Sequence, residues 1–382
     1  MSETLTPETP ETPPVTNGPG RFGRIYQGLT TIDFVGRKRI WFTASLVVIV
    51  IGLGSLGIRG FNLGIDFKGG NSWEVLAPHS SISAMTSAVT KAGLSNPTVQ
   101  KLGSETYQVT ADLNGQSTQA QSNITNAVVN AMAKQAGVNP IQVSTSSVGP
   151  TWGGQVTNRA LEALIIFFLA VVLYISIRFE PKMALAAFIA MIHDLLVTIG
   201  VYSLFGFQIT PDTVIAILTI LGYSLYDTVV VFDRVRDNAN STNAILKSGT
   251  LSYSEMVNLS MNQTLARSIN TSLVAILPVL AVLLVGAYLL GATTLENYGL
   301  ALFVGLMSGA YSSIFIASPL LAWLKEREPR YQELAARVAR TTHSTLSPRA
   351  AALLGSDATQ RMAGTRRAVT SVAPRARKQK RR

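Results

Sequence analysis

The chain has 382 residues, of which 47% are hydrophobic and 14% are charged, and it carries a net charge of +11. With a mean hydropathy of +0.30, this composition excludes an ordinary soluble protein and indicates a membrane protein with one modest polar domain. Cysteine is absent and the three histidines are widely separated, which excludes disulfides and leaves no convincing metal cluster. Neither GxxxxGKS nor GxxxxGKT occurs, so we predict no nucleotide hydrolysis, no cofactor and no enzyme activity.

Both ends of the chain differ in composition from its middle. Residues 1–31 are rich in Pro, Thr and Glu and are predicted to be a disordered cytoplasmic N-terminus. Residues 325–382 carry most of the excess positive charge, and we predict a disordered cytoplasmic tail that binds anionic lipids. A nucleic-acid contact is the weaker alternative for this tail, and no specific nucleic acid is expected.

Six apolar stretches are long enough to cross a bilayer. Residues 32–58 hold an amphipathic segment and the first span. They are not read as a signal peptide, because no small-residue cleavage site follows the basic residues 37–39. Residues 157–324 hold the other five spans. The predicted spans are 40–58, 160–177, 183–204, 214–232, 265–290 and 298–324.

Basic residues in the short loops predict the orientation of the spans. They precede span 1, separate spans 2 and 3, and follow spans 4 and 6, whereas the loops GFQITPD and GATTLEN contain no Lys or Arg. Since basic loops stay in the cytoplasm, we predict that both termini are cytoplasmic and that residues 59–156 lie outside.

Residues 59–156, here called the α/β domain, show two similar halves. Strands are predicted at 72–76, 98–102, 107–113 and 141–146, and helices at 82–92 and 118–136. The order βαββαβ predicts an α+β ferredoxin-like domain between spans 1 and 2. No catalytic cluster is visible in it, so we interpret it as a binding or moving part.

Asp227 is the most informative residue, because it lies within the apolar run of span 4. A carboxylate in a span costs at least ~2.5 kcal/mol and usually serves ion or proton movement. Thr219, Tyr223 and Asp227 share one helix face, with Ser224 beside it. The alternative is that Asp227 lies roughly 9 Å inside the surface, at 1.5 Å per residue from Asp233, and reaches water locally.

Arg267 is the candidate counter-charge for Asp227, because it opens span 5 in the same leaflet. Direct pairing of the two is the least unfavourable arrangement, and separating them would let the aspartate take up a proton. Asn270 and Thr271 follow on the same face. The alternative for Arg267 is an interfacial anchor that reaches the headgroups.

His193 and Asp194 lie at the middle of span 3. Adjacent residues point about 100° apart on a helix, so we expect these two not to pair with each other and one or both to face the bundle interior. We expect either a proton-relay element or a hydrogen bond that holds spans together, and the sequence leaves both open. Tyr223, Asn270 and Thr271 are further candidates for these roles.

Two glycine-containing segments have a mechanical interpretation. Asp66, Gly69 and Gly70 occur in GIDFKGG directly after span 1, which predicts a tight turn and a hinge between the α/β domain and the membrane. Gly305 and Gly309 in span 6 have GxxxG spacing, which favours the close approach of another helix.

Considered together, the motifs over residues 32–324 resemble the SecF family of bacterial protein-export membrane proteins. The resemblance rests on the order and spacing of six segments. They are GIDFKGG, SSVGPTWGGQV, MIHDLLVTIG, GYSLYDTVVVFDRVRDN, NQTLARSINTSLVAILP and GAYSSIFIASPLL. One departure is Tyr226, where the family often has Asn before the aspartate of span 4.

The resemblance implies a six-span half of resistance-nodulation-division (RND) type architecture in the bacterial plasma membrane, driven by the proton gradient. It implies proton conduction by Asp227 and Arg267, and a SecD-like partner that supplies a second aspartate. It further implies contact with the SecYEG translocon and a translocating polypeptide, with YajC and YidC as further candidate partners.

Two alternatives belong to other functional classes. One is an RND-type half-transporter that exports lipids or small molecules, although a single small outer domain argues against it. The other is a non-transporting scaffold whose buried charges only hold helices together.

Overall fold

The computed structural model describes residue 30 and residues 32–241, 251–289 and 293–342. Within these ranges, six helices are long and apolar enough to cross a membrane, as the hydropathy pattern predicted. The chain is therefore a multi-pass α-helical membrane protein. The spans are Lys38–Arg59, Thr151–Arg178, Pro181–Phe205, Pro211–Asn240, Tyr253–Ala287 and Leu295–Lys325.

Spans 2 and 5 begin earlier than predicted, because helices extend beyond the apolar residues that hydropathy detects. Span 5 begins at Tyr253 after a capping box, in which Ser252 and Glu255 satisfy each other's backbone N–H groups. Span 2 belongs to a helix that begins at Pro150, where proline suits the first helical position. The polar ends of both helices therefore escaped the sequence analysis.

The α/β domain contains strands and helices in the predicted order. The sheet order is β2-β3-β1-β4, and all neighbouring strands are antiparallel. A short helix, α1, joins span 1 to the sheet. The elements are α1 (Ile65–Lys68), β1 (Gly70–Leu76), α2 (Ile82–Lys91), β2 (Thr98–Leu102), β3 (Thr106–Ala111), α3 (Thr118–Ala136) and β4 (Ser144–Val148).

Alternating residues in β1 and β3 explain the core of this domain. Trp73 and Val109 are fully buried on one sheet face, together with Met85 of α2 and Met132 of α3. The final strand begins later than the predicted residue 141, because Asn139 caps a 3₁₀ turn over Pro140–Gln142. The opposite sheet face carries polar residues and lies against the membrane bundle.

Two glycine contacts set close helix crossings in the bundle. A Cβ on Gly305 would lie 2.2 Å from Ile220 Cδ1, so spans 4 and 6 approach closely, as the GxxxG spacing predicted. Gly52 of span 1 and Gly200 of span 3 meet equally closely, since a Cβ on Gly52 would lie 2.6 Å from Gly200 Cα. This second crossing was not predicted from the sequence.

The α/β domain is attached to the bundle by backbone as well as side-chain hydrogen bonds. Gly64 N–H donates to Ile209 O, and Ile209 N–H donates to Asn62 O, both at 2.8 Å. At the β2–β3 turn, Gly103 N–H donates to Glu296 Oε2 at 2.6 Å. The loop between spans 3 and 4 and the start of span 6 therefore form the docking platform.

The basic tail requires a correction, because part of it is helical. We predicted disorder over residues 325–382, but Pro329–Thr342 form a helix, α4. Its apolar face packs on the bundle, with Val338 buried and the Tyr331 ring 4.7 Å from that of Tyr253. Apolar residues recur at helical spacing in this segment and form the packed face. The high charge of the segment had led us to predict disorder instead. Residues 343–382 and 1–29 lie outside the described ranges.

Candidate functional site

Asp227 is buried inside the bundle in the second half of span 4, with only 2% of its surface exposed. Its carboxylate accepts a hydrogen bond from Ser313 Oγ of span 6 at 2.5 Å. Ser313 opens a π-helical segment, Ser313–Ala317, within that span. Short π-helical segments often occur at functional sites, and here the segment begins at the residue that contacts the carboxylate.

Arg267 lies on span 5, which packs against span 4, but its side chain is exposed on the surface of the chain. Within the described ranges it forms no ion pair with Asp227, in contrast to the direct pairing that the sequence predicted. The exposed position agrees better with the alternative, an interfacial anchor, than with pairing.

The other polar candidates near Asp227 differ in how exposed they are. Tyr223 is partly buried on span 4, one turn from Asp227. Thr271 donates its hydroxyl to Arg267 O at 2.8 Å, within its own helix, and Asn270 is exposed. Tyr226 is 51% exposed and therefore does not contribute to the buried side of the site.

Asp194 forms a second buried carboxylate centre, which the structure makes much more elaborate than the sequence indicated. It is fully buried and accepts hydrogen bonds from Ser224, Ser308 and Ser312 at 2.5, 2.8 and 2.7 Å. His193 Nδ1 lies 3.1 Å from its Oδ1 atom. Spans 3, 4 and 6 are thus joined at one residue.

The two carboxylate centres share one element, because Ser312 binds Asp194 and the adjacent Ser313 binds Asp227. A rotation or shift of span 6 at this point would change both hydrogen bonds together. Sequence reasoning missed these serines. The available signal was the run of small polar residues in GLMSGAYSS, where Ser308 and Ser312 have i, i+4 spacing.

His193 is buried beside Asp194, and its ring stacks on Tyr311 with centroids 6.1 Å apart. Its Nε2 atom has no hydrogen-bond partner among the described residues. The ring borders an apolar groove between spans 1, 3 and 6. The contact of His193 with Asp194 contradicts the prediction that these neighbours do not pair, because both side chains are long enough to reach across the 100° separation.

At the domain junction, Gly69 and Gly70 have φ values of 77° and 124°, which favour glycine. A Cβ on Gly70 would also lie 2.9 Å from Ala111 O. Asp66 is half-buried, and burial raises the pKa of its carboxyl group. A hydrogen bond from its own backbone N–H partly opposes this increase, whereas the nearby charge of Asp212 adds to it. The two glycines thus allow the chain to make a tight turn that packs closely against β3.

Metal binding has no support in the part of the chain that the structure describes, where no three His, Asp or Glu residues converge. The chemistry available to the site is therefore that of two buried carboxylates, hydroxyl donors and one exposed guanidinium.

Comparison with known proteins identifies the family of the chain. Residues 128–327 match the family "Protein export membrane protein SecD/SecF, C-terminal", and residues 54–72 match the "SecD/SecF GG Motif". The protein translocase subunit SecF of Streptomyces coelicolor is 43% identical over 316 residues, covering 82% of each chain. This chain belongs to the SecF family.

Another SecF relative and two solved structures support the assignment. SecF of Mycobacterium leprae is 42% identical, over 80% of this chain and 66% of that protein. The crystal structure of SecDF from Thermus thermophilus matches with a TM-score of 0.67 and 30% identity, over 78% of this chain. A second SecDF structure, in a super-membrane-facing form, matches with a TM-score of 0.55 and 29% identity. This SecF-family chain spans only 39% and 40% of those longer chains.

Proposed function

We propose that this SecF-family chain is one half of a proton-driven accessory complex that assists translocation and release of proteins through the Sec channel. Asp227 carries the proposal, since it is a 2% exposed carboxylate in a span, without an ion pair among the described residues. Such a group must be neutralised by a proton or by a partner. The chain has no enzyme activity or cofactor in this proposal.

The partner in this proposal is a SecD-like subunit. The shorter length of this chain relative to the SecDF chains supports it, as does Arg267, whose exposed guanidinium would be costly in lipid. A carboxylate from SecD facing Arg267 would complete the path. SecYEG, a translocating polypeptide, YajC and YidC are the further partners that family membership suggests.

We place the chain in the bacterial plasma membrane with both termini in the cytoplasm, because basic residues concentrate in the loops on that side. The α/β domain is then extracytoplasmic. We infer a ferredoxin-like fold for it from the element order βαββαβ and the antiparallel sheet order β2-β3-β1-β4.

Coupling requires that protonation change the position of an element. Moving one proton through the membrane potential supplies about 2.3 kcal/mol per 100 mV, enough to bias two states of similar energy. Protonating Asp227 would weaken its charge-assisted hydrogen bond to Ser313 and so release span 6. Span 6 also carries Glu296, which holds the β2–β3 turn, so its movement would reach the α/β domain.

The test is proton flux in vesicles that contain this chain with its SecD partner. We expect Asp227→Asn to abolish flux and to reduce proton-dependent export, because the side chain keeps its size but cannot titrate. Asp233→Asn is the matched control, since Asp233 lies on the same helix but is half-exposed.

Flux equal to wild type in Asp227→Asn, at equal protein level, would contradict the proposal and favour a structural role for the carboxylate. Reduced export in Asp233→Asn as well would show that the export defect is not specific to Asp227.

A further inference from the structure

A basic cleft lies where the α/β domain meets the membrane bundle. Its volume is about 610 Å³, and its walls are the C-terminal ends of spans 1 and 3, the edge strand β2 and the start of span 6. Three cationic side chains line it, namely Arg59, Lys68 and Lys101.

None of these three cations forms an ion pair within the described ranges. The guanidinium of Arg59 makes one hydrogen bond to Leu204 O at 2.7 Å, and Lys101 Nζ lies 5.8 Å from the centre of the Tyr107 ring. Lys68 and Lys101 are exposed. Their positive charge is thus free to attract an anion.

The carboxylate in the cleft does not neutralise them. Glu296 is 7% exposed and accepts the Gly103 N–H at 2.6 Å, so it is directed into the docking contact of the domain. The polar part of the cleft therefore has an excess of positive charge beside an ordered carboxylate.

Apolar side chains continue from the cleft toward the bilayer. Phe205, at the end of span 3, is 67% exposed, and Phe61, after span 1, is 45% exposed. Ile58, one residue before Arg59, is 88% exposed. Aromatic and apolar residues next to cations at a span end match the interface between acyl chains and headgroups.

We propose that this cleft binds the headgroup of an anionic phospholipid from the leaflet on the side of the α/β domain. The phosphate lies among Arg59, Lys68 and Lys101, while the acyl chains leave past Phe61 and Phe205 into the bilayer. A bound lipid then links the α/β domain, which carries Lys68 and Lys101, to span 1, which carries Arg59. Free phosphate offers the same anion chemistry but lacks the acyl chains.

The test uses the full chain, purified in detergent, and native mass spectrometry with titrated short-chain lipids. The probes are phosphatidylglycerol, phosphatidylcholine of equal chain length, and glycerol phosphate. We expect phosphatidylglycerol to bind more tightly than the other two probes, because only it combines net negative charge with acyl chains.

The decisive variant is Lys68→Gln with Lys101→Gln. Near a membrane surface each basic residue contributes about fivefold in affinity, so we expect about a 30-fold weaker phosphatidylglycerol affinity. The matched control is Lys91→Gln with Lys134→Gln, which removes two exposed charges from the helical layer of the same domain. A thermal unfolding curve for each variant verifies that it is folded.

Three results would overturn the proposal. They are equal affinity for phosphatidylglycerol and phosphatidylcholine, equal loss of affinity in the decisive and control variants, and glycerol phosphate binding as tight as that of the lipid. Because Asp227 is intact in every variant, a negative result here does not bear on proton conduction.

Discussion

The two buried carboxylates differ in how well their neighbours satisfy them. Among the described residues, Asp194 receives hydrogen bonds from Ser224, Ser308 and Ser312, whereas Asp227 receives one, from Ser313. A carboxylate with several donors is stabilised within the bundle and joins the helices that supply them. We therefore expect Asp194 to hold spans together, and Asp227 to be the group whose charge changes during function.

Ser312→Ala tests this difference at the scale of one residue. It removes a hydroxyl that donates to Asp194 Oδ2, and hydrogen bonds to charged groups contribute about 1.5–3 kcal/mol. We expect a loss of that size in the free energy of unfolding, measured by denaturant unfolding of the purified chain. Ser254→Ala is the control, because the Ser254 hydroxyl is buried without a partner among the described residues. Equal effects of the two changes would contradict the assignment.

At the scale of elements, small residues decide how closely the spans approach. Gly305 and Gly309 bring span 6 against Ile220 and Ser224 of span 4. This contact positions Ser312 and Ser313 beside the two carboxylates. The close crossing is therefore a precondition for the site as well as for packing.

Gly305→Ala should destabilise the bundle by about 1–3 kcal/mol, because its Cβ would overlap Ile220. Gly222→Ala should be near neutral, since nothing lies within 4 Å of its added Cβ. Adding Ile220→Ala to Gly305→Ala should cost less than the sum of the single changes. Additive costs in this double-mutant cycle would show that the two residues do not interact.

Helix α4 is held to the bundle by an ionic cluster with a defined pH dependence. Burial opposes ionisation of Glu328, but the hydrogen bond from Lys182 and the charge of Lys325 outweigh it, so its pKa lies below the ordinary 4.5. Lys182 Nζ is 2.9 Å from Glu328 Oε1. Since the folded-state pKa is the lower one, Glu328 stabilises the fold above pH 4.5, and this stabilisation is lost as pH falls through the folded value.

Glu328→Gln should therefore lower the unfolding temperature at neutral pH, and the difference from wild type should shrink below pH 4.5. Thermal unfolding across this pH range measures it. Glu333→Gln, an exposed change within α4, which begins directly after Glu328, should give no such convergence. A difference that is constant with pH would assign the effect of Glu328 to packing.

At the scale of the whole molecule, the α/β domain rests on the bundle through contacts far apart in sequence. Gly103 N–H donates to Glu296, and Gln100 Nε2 donates to Gly206 O at 3.0 Å. The chain enters the domain through the glycine turn at Gly69 and Gly70. These hydrogen bonds hold the docked position together with the backbone contacts of Gly64 and Ile209.

Glu296→Gln should loosen this docking, because a hydrogen bond to a charged group is worth about 1.5–3 kcal/mol and one to a neutral group about half of that. We expect faster amide hydrogen exchange in the β2–β3 turn, by up to about tenfold. Glu105→Gln, an exposed change in the same turn, is the control. Unchanged exchange with Glu296→Gln would show that this contact does not hold the domain.

The sequence by itself determined the six spans, the βαββαβ order, and the unusual positions of Asp227, Arg267 and Asp194, because hydropathy and residue periodicity are local properties. It did not determine which groups meet. The serine donors to Asp194, the separation of Arg267 from Asp227, the crossing of Gly52 with Gly200 and the docking of α4 each join residues distant in the chain. Such contacts depend on helix rotation and crossing, which the packing of all spans sets together, and so only the tertiary structure decided them.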